Sequence, residues 1–316
     1  MSRIAVIGAG AFGGALACAL ARGGRMVSLH GRDVEAIAAT RNVPRLPGIT
    51  LPDAVEVAPL EAVQADTVLW AVPTQALTFA TKDAPGSVRN ARHVACCKGI
   101  EIATGRGPTS MLSEAFSGET VSVLTGPSFA VDIAAGLPTA LTLACADRTA
   151  GQTLQAELST DTLRLYLTDD VTGAELGGAL KNVIAIAAGI AMGAGLGPSA
   201  RAAVVTRGFA EITRMATHRG ARPETLTGLS GLGDLVLTCT SDQSRNYRFG
   251  LALGRGETFD HSITVEGAAT ALALTKIAKD TGTDMPITLM IAAILAGDCS
   301  IQQAMQALLA RPLKEE

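Results

Sequence analysis

Ile4-Ala5-Val6-Ile7-Gly8-Ala9-Gly10-Ala11-Phe12-Gly13 runs from a wholly apolar tetrapeptide straight into a G-x-G-x-x-G turn. An unbroken apolar run that stops at glycine reads as a parallel strand buried on both faces. In such a turn the first glycine, Gly8, permits the tight bend and the second, Gly10, lets backbone approach a pyrophosphate. The third, Gly13, lets helix pack on strand, and the helix N-terminus then faces the anion. The hexapeptide alone is a weak signal, because glycine pairs also occur in ordinary turns. The strand before it and a βαβ pattern behind it make it a dinucleotide-binding turn.

Working outward, Gly14 to Arg22 is rich in alanine and leucine and reads as a helix stopped by Gly23-Gly24. Met26 to Leu29 is the next strand, followed by strand candidates at Thr67 to Val72, His93 to Cys96, Val121 to Leu124 and Thr139 to Ala144. Helical or loop segments separate them, an alternation that predicts a doubly wound α/β sheet. From about Thr172 the pattern changes: Glu175 to Met192, Ala200 to His218 and Thr264 to Thr281 look helical, and no strand is evident. The expected fold is therefore an N-terminal Rossmann-type sheet domain for dinucleotide binding, residues 1–174. An all-helical substrate and catalytic domain, residues 175–316, follows it, with the active site in the cleft between the two.

The end of the second strand bears on cofactor choice. NAD-specific folds place an acid there for the ribose 2′-hydroxyl. Here the strand runs out as Leu29-His30-Gly31-Arg32-Asp33: neutral groups at the usual acidic position, then an arginine suited to a 2′-phosphate. NADP is the preferred cofactor on this reading and NAD a possible one. Asp33 competes, either as a helix N-cap or as the ribose acid supplied one turn late.

Composition excludes several classes. The 316 residues are 48% apolar and 17% charged with a net charge of −3, enough for a large core and too little positive charge to predict a nucleic-acid partner. Cysteines 18, 96, 97, 145, 239 and 299 show no metal spacing and mostly sit in apolar runs, which predicts a reduced cytoplasmic protein and no metal site. Arg3 and the following apolar run superficially resemble an export signal, but Gly8, Gly10, Gly13 and Gly14 interrupt it. The longest later apolar stretch, Val183 to Leu196, falls short of the ~20 residues a membrane span needs and reads as a buried helix.

Lys181-Asn182 interrupts an apolar helix, where a lysine is rarely buried without a partner or a purpose. In a dry cleft its pKa falls, and it can exchange a proton with a carbonyl oxygen near neutral pH; the alternative is a lysine that snorkels out at the helix edge. Asp234, in Gly231-Leu232-Gly233-Asp234-Leu235, either caps a helix or orients Lys181. Ser244-Arg245-Asn246 opens a helix with Ser244 as N-cap, which makes either a phosphate site or a solvated basic helix end. Cys97-Lys98-Gly99 and Leu124 to Ala130 follow strands, where ligands gather in open sheets.

Together these segments resemble the bacterial NAD(P)-dependent glycerol-3-phosphate dehydrogenases. The matching blocks are Gly8 to Gly13, Lys98-Gly99, Thr125 to Ala130 and Leu180-Lys181-Asn182. Gly228 to Thr240, Ser244 to Asn246 and Val265-Glu266-Gly267 complete them, in order along nearly the whole chain. The resemblance implies that Lys181 is the proton donor and acceptor, with Asp234 holding its ammonium. It implies that Lys98, Gly126, Ser128, Lys181, Asp234, Ser244, Arg245 and Asn246 line the substrate, dihydroxyacetone phosphate or sn-glycerol 3-phosphate. Phe12, Arg32, Lys98, Ala130, Arg245 and Glu266, besides the turn glycines, would touch the dinucleotide. It also implies a homodimer whose product feeds glycerophospholipid synthesis. Cys96-Cys97 departs from the residues familiar before the lysine. The competing readings are a β-hydroxyacid, ketopantoate or opine dehydrogenase of the same two-domain plan, or a nucleotide-sensing binding protein without turnover.

Overall fold

The computed structural model describes residues 2–32, 34–260 and 262–310; Asp33 lies outside them. The chain begins β1 (Arg3–Ile7), α1 (Ala11–Arg22), β2 (Met26–Gly31), α2 (Glu35–Thr40), β3 (Val55–Pro59) and β4 (Thr67–Trp70). It continues α3 (Leu77–Lys82), β5 (Arg92–Ala95), α4 (Pro108–Ala115), β6 (Val121–Thr125), α5 (Ala130–Ala135), β7 (Thr139–Cys145), α6 (Arg148–Leu158) and β8 (Leu163–Thr168). The strands form one eight-stranded sheet in the order β3-β2-β1-β4-β5-β6-β7-β8. Every neighbouring pair is parallel except β6 with β7. The chain reverses its direction of winding between β1 and β4, and in open α/β sheets the ligand crevice lies outside the strand ends at that point.

The unbroken apolar character of β1 has a simple cause. Side chains alternate across a strand, so Ile4 and Val6 enter one core with Leu16 and Leu20 of α1, while Ala5 and Ile7 enter another with Trp70, Leu77 and Leu112. Neither face meets water. Two strands, β3 and β8, lie outside those the sequence reading predicts. In β3, Glu56 and the closing Pro59 mask an edge strand. β8 alternates Leu163, Leu165 and Leu167 with Arg164, Tyr166 and Thr168.

After Thr168 only helices occur among the described residues: α7 (Val171–Gly193), α8 (Gly197–His218), α9 (Pro223–Thr227), α10 (Asp234–Thr240), α11 (Arg245–Arg255), α12 (Glu266–Thr281), α13 (Pro286–Ala296) and α14 (Ile301–Leu309). A single π-helical turn, Leu229–Gly233, leads into α10. α7 is apolar on nearly every side because it is buried on nearly every side. At 23 residues it is longer than the stretch from Val183 suggested, since it starts at Val171 and carries Lys181 within it. By length and composition alone it could cross a membrane, but 89% of its most apolar window is buried inside this fold.

Three contacts fix α7 in space. The Asp170 carboxylate accepts hydrogen bonds from Gly173 N at 2.8 Å and Arg222 N at 2.9 Å, capping the helix and tying in α9. Glu175 accepts from Thr109 N at 2.8 Å, at the start of α4 on the sheet side. Farther along, α11 lies directly on α7: a Cβ added at Gly189 would stand 2.2 Å from the Tyr247 carbonyl oxygen, and one at Gly250 2.1 Å from that of Ile186. Backbone therefore touches backbone, and the start of α11 is held at a fixed distance from Lys181.

Candidate active site

At the carboxyl end of β1, Gly8 adopts φ +119°, and a Cβ there would strike the Ala71 carbonyl carbon at 2.6 Å. A Cβ on Gly13 would come within 1.9 Å of Gly8 O. These two glycines let β1, α1 and the end of β4 converge. Gly10 differs: a Cβ there meets no protein atom within 4 Å, so this glycine leaves space outside the turn rather than inside the fold. Gly10 is also the N-cap of α1, whose first turn carries no acidic side chain, so its free backbone N–H groups face that space unneutralised. The cradle fits a dinucleotide pyrophosphate. Phe12, half-buried, stands in the same first turn.

The end of β2 comes up beside this turn, where a Cβ on Gly31 would lie 3.2 Å from Ala9 N. His30 is turned inward: its ring nitrogens pair with Pro59 O at 3.0 Å and Ser28 Oγ at 2.8 Å, so they are occupied within the fold. Arg32 is exposed at the strand end.

Lys181 and Asp234 lie 53 positions apart in sequence and form a buried ion pair, with Nζ donating to Oδ1. Lys181 is 6% exposed and Asp234 fully buried. The second carboxylate oxygen accepts from Lys98 Nζ at 2.7 Å, and Lys98 also donates to the Gly126 carbonyl at 3.1 Å. Lys98 thus bridges the sheet side and α10. One carboxylate serves two ammonium groups. Burial pulls the Lys181 pKa down to about 8, with the nearby Lys98 charge acting in the same direction and Asp234 opposing both. The snorkelling geometry is not the one adopted.

Ser244 caps α11 by accepting from Tyr247 N at 3.2 Å, and its hydroxyl lies 3.0 Å from Thr238 Oγ1. Its side chain is therefore engaged in holding the helix start. Arg245 is exposed at that start. Asn246 Oδ1 accepts from Gly267 N at 3.0 Å, which joins the start of α11 to that of α12. Glu266, half-buried beside this junction, has its carboxyl pKa raised by burial, against the pull of Arg245, Lys98 and Lys181. Ser128 Oγ reaches Gly126 O at 3.5 Å, and Ala130 begins α5.

The arrangement therefore gathers Lys98, Gly126, Lys181 and Asp234 into one hydrogen-bonded cluster. Asn246 is joined to the helix start that carries Glu266. The glycine turn and Arg32 lie at the carboxyl ends of β1 and β2. Sequence reasoning assigned no part to Thr238, which supports Ser244, or to Glu175 and Gly267. Thr238 sits one helical turn after Asp234, and that spacing is the signal that could have found it. Chemically the cluster offers a buried ammonium of lowered pKa, a carboxylate that fixes it, and a basic helix N-terminus for an anion.

Comparison with known proteins supplies the family. Residues 3–151 match the N-terminal family model described as NAD-dependent glycerol-3-phosphate dehydrogenase, and residues 170–306 match the C-terminal model of that description. The chain is 58% identical to "Glycerol-3-phosphate dehydrogenase [NAD(P)+]" of Paracoccus denitrificans (strain Pd 1222), over 99% of each chain. It is 56% identical to the protein of that name from Cereibacter sphaeroides, over 99% of this chain and 100% of the relative. The crystal structure of glycerol-3-phosphate dehydrogenase from Coxiella burnetii is similar with a TM-score of 0.91 and 36% identity, covering 98% of this chain and 99% of that one.

Proposed function

The chain belongs to the NAD-dependent glycerol-3-phosphate dehydrogenase family, and from that premise we propose how its cleft interconverts dihydroxyacetone phosphate and sn-glycerol 3-phosphate. It is an NAD(P)-dependent oxidoreductase. The observation that carries the reading is the buried Asp234 carboxylate held between Lys181 and Lys98, in a chain whose first strand ends in a glycine turn left open at Gly10. When bound on that turn, the dinucleotide supplies hydride for the carbon of the ketone. Lys181 gives a proton to the ketone oxygen in reduction and takes it back in oxidation, and its positive charge stabilises the oxyanion as it forms. Asp234 holds the ammonium in place. Lys98, Gly126 and Ser128 line the substrate, while the start of α11, with Ser244 as cap and Arg245 and Asn246 as side-chain donors, takes the phosphate. Gly8, Gly10, Phe12, Gly13, Arg32, Ala130, Arg245 and Glu266, together with Lys98, hold the dinucleotide.

The test is NADPH oxidation with dihydroxyacetone phosphate set against dihydroxyacetone. Binding energy from a remote phosphate also positions the reacting carbonyl, so loss of that group should lower kcat as well as raise KM. Comparable kcat/KM for the two ketones would instead support a β-hydroxyacid, ketopantoate or opine substrate.

Cofactor preference is a second expected result. A charge-assisted hydrogen bond is worth roughly 1.5–3 kcal/mol, about one to two powers of ten in kcat/KM. NADPH should be preferred by that order, and Arg32→Ala should remove most of the preference by weakening NADPH while leaving NADH nearly unchanged. Equal losses for both cofactors would overturn it. The reading extends to a homodimer whose product enters glycerophospholipid synthesis, and to the cytoplasm, a reducing compartment with which the free thiols are consistent.

A further inference from the structure

Three functional helix segments meet at one glycine. The Gly267 N–H donates to Asn246 Oδ1 at 3.0 Å. A Cβ on Gly267 would lie 2.6 Å from the Asn182 carbonyl oxygen and 2.9 Å from Asn246 Oδ1. Asn182 follows Lys181 on α7, Asn246 follows Arg245 on α11, and Gly267 follows Glu266 on α12. Because a backbone N–H can only donate, the oxygen end of the Asn246 amide is assigned, and its NH₂ end remains free to donate elsewhere.

From this junction we propose that Gly267 is a positioning residue that holds the phosphate-binding start of α11 and the dinucleotide-facing start of α12 in register on α7. The proposal rests on the phosphate reading above. Physically it follows from what can move. The Asn182 carbonyl belongs to the backbone of a core helix buried along most of its length and cannot retreat. A methyl group at residue 267 therefore displaces α12 and, through the Asn246 hydrogen bond, the side chain beside Arg245. Lys181 and Asp234, held by each other and by α7 and α10, stay in place. The register then governs where the phosphate and Glu266 sit, and leaves proton transfer untouched.

The experiment is Gly267→Ala, assayed at saturating NADPH with dihydroxyacetone phosphate and with dihydroxyacetone. We expect kcat/KM for the phosphate ester to fall at least tenfold and that for dihydroxyacetone to change less than threefold, so that the preference collapses. A parallel loss on both ketones, or an unchanged preference, overturns the proposal. Should this variant not fold, Asn246→Asp and Asn246→Leu decide. Both remove the amide donor, but only aspartate keeps an oxygen for the Gly267 N–H. NADPH affinity without substrate should be at least threefold tighter in N246D than in N246L, although the added negative charge works against it; equal or weaker binding overturns the register. Absence of turnover in the wild type would overturn the phosphate reading instead, and the affinity comparison needs no turnover.

Discussion

Lys181→Ala is expected to lower kcat for reduction of dihydroxyacetone phosphate by ~10²–10⁴-fold while NADPH affinity stays within a few fold of wild type. The side chain is 6% exposed, lies in a largely apolar and buried helix, and is paired with a buried carboxylate. The glycine turn that would hold the dinucleotide is built from β1 and α1, on a separate part of the sheet. Removing the ammonium takes away the proton and the charge that meets the developing oxyanion, and leaves that turn intact. The wild-type pH profile carries the same signature. With the Lys181 pKa drawn down to about 8, the protonated donor is depleted as pH rises through that value, so the reduction rate should fall above it. Oxidation of glycerol 3-phosphate needs the neutral amine as base, so its rate should rise over the same range. Lys181→Ala should flatten both profiles. Steady-state rates between pH 6 and 10 with NADPH binding by fluorescence are the measurement, and near-normal kcat in the variant would sink the assignment.

What the sequence reveals and what it hides follow from the range of the interactions. The turn from Gly8 to Gly13 is legible because its physics is local: an apolar strand, glycines within a few residues, then a helix. Ser244 is legible as an N-cap for the same reason, since its partner is Tyr247 N. The cluster of Lys98, Lys181 and Asp234 is different. Lys181 reaches Asp234 across 53 positions and Lys98 reaches it across 136, and no periodicity encodes either distance. Residue chemistry shows only that a lysine in an apolar helix needs a partner. Gly267 is hidden for another reason: its contribution is the absence of a side chain, visible only once the Asn182 carbonyl is known to stand behind it.

Asp234→Asn is the change expected to damage both activity and stability. The substitution keeps shape and removes one charge, leaving the Lys98 and Lys181 ammonium groups converging on a neutral amide in a fully buried position. Breaking a buried ion pair by removing one partner typically costs about 3–5 kcal/mol, because the remaining charge is uncompensated; here two charges lose the same partner. Part of that cost is avoided if Lys181 gives up its proton, and that avoidance removes the proposed proton donor. The attraction that opposes burial and the Lys98 repulsion is gone, so the Lys181 pKa must move further down. At neutral pH the donor form is then scarce, and the reduction rate should fall by at least ~10²-fold, as for loss of an acid–base group. The sign of the shift separates this account from a simple packing defect. Residual reduction by D234N should recover as pH is lowered, with its midpoint displaced below that of the wild type, whereas a misfolded site gains nothing from acid. The double variant Lys181→Met with Asp234→Asn adds a second separation, since it removes one of the two unpaired ammonium groups. It should melt at a higher temperature than D234N alone, and its residual rate should show no recovery as pH is lowered. Thermal melts and pH–rate profiles of the three proteins decide the matter, and a D234N enzyme with wild-type kcat/KM and an unmoved midpoint would show that Asp234 does not hold the proton donor.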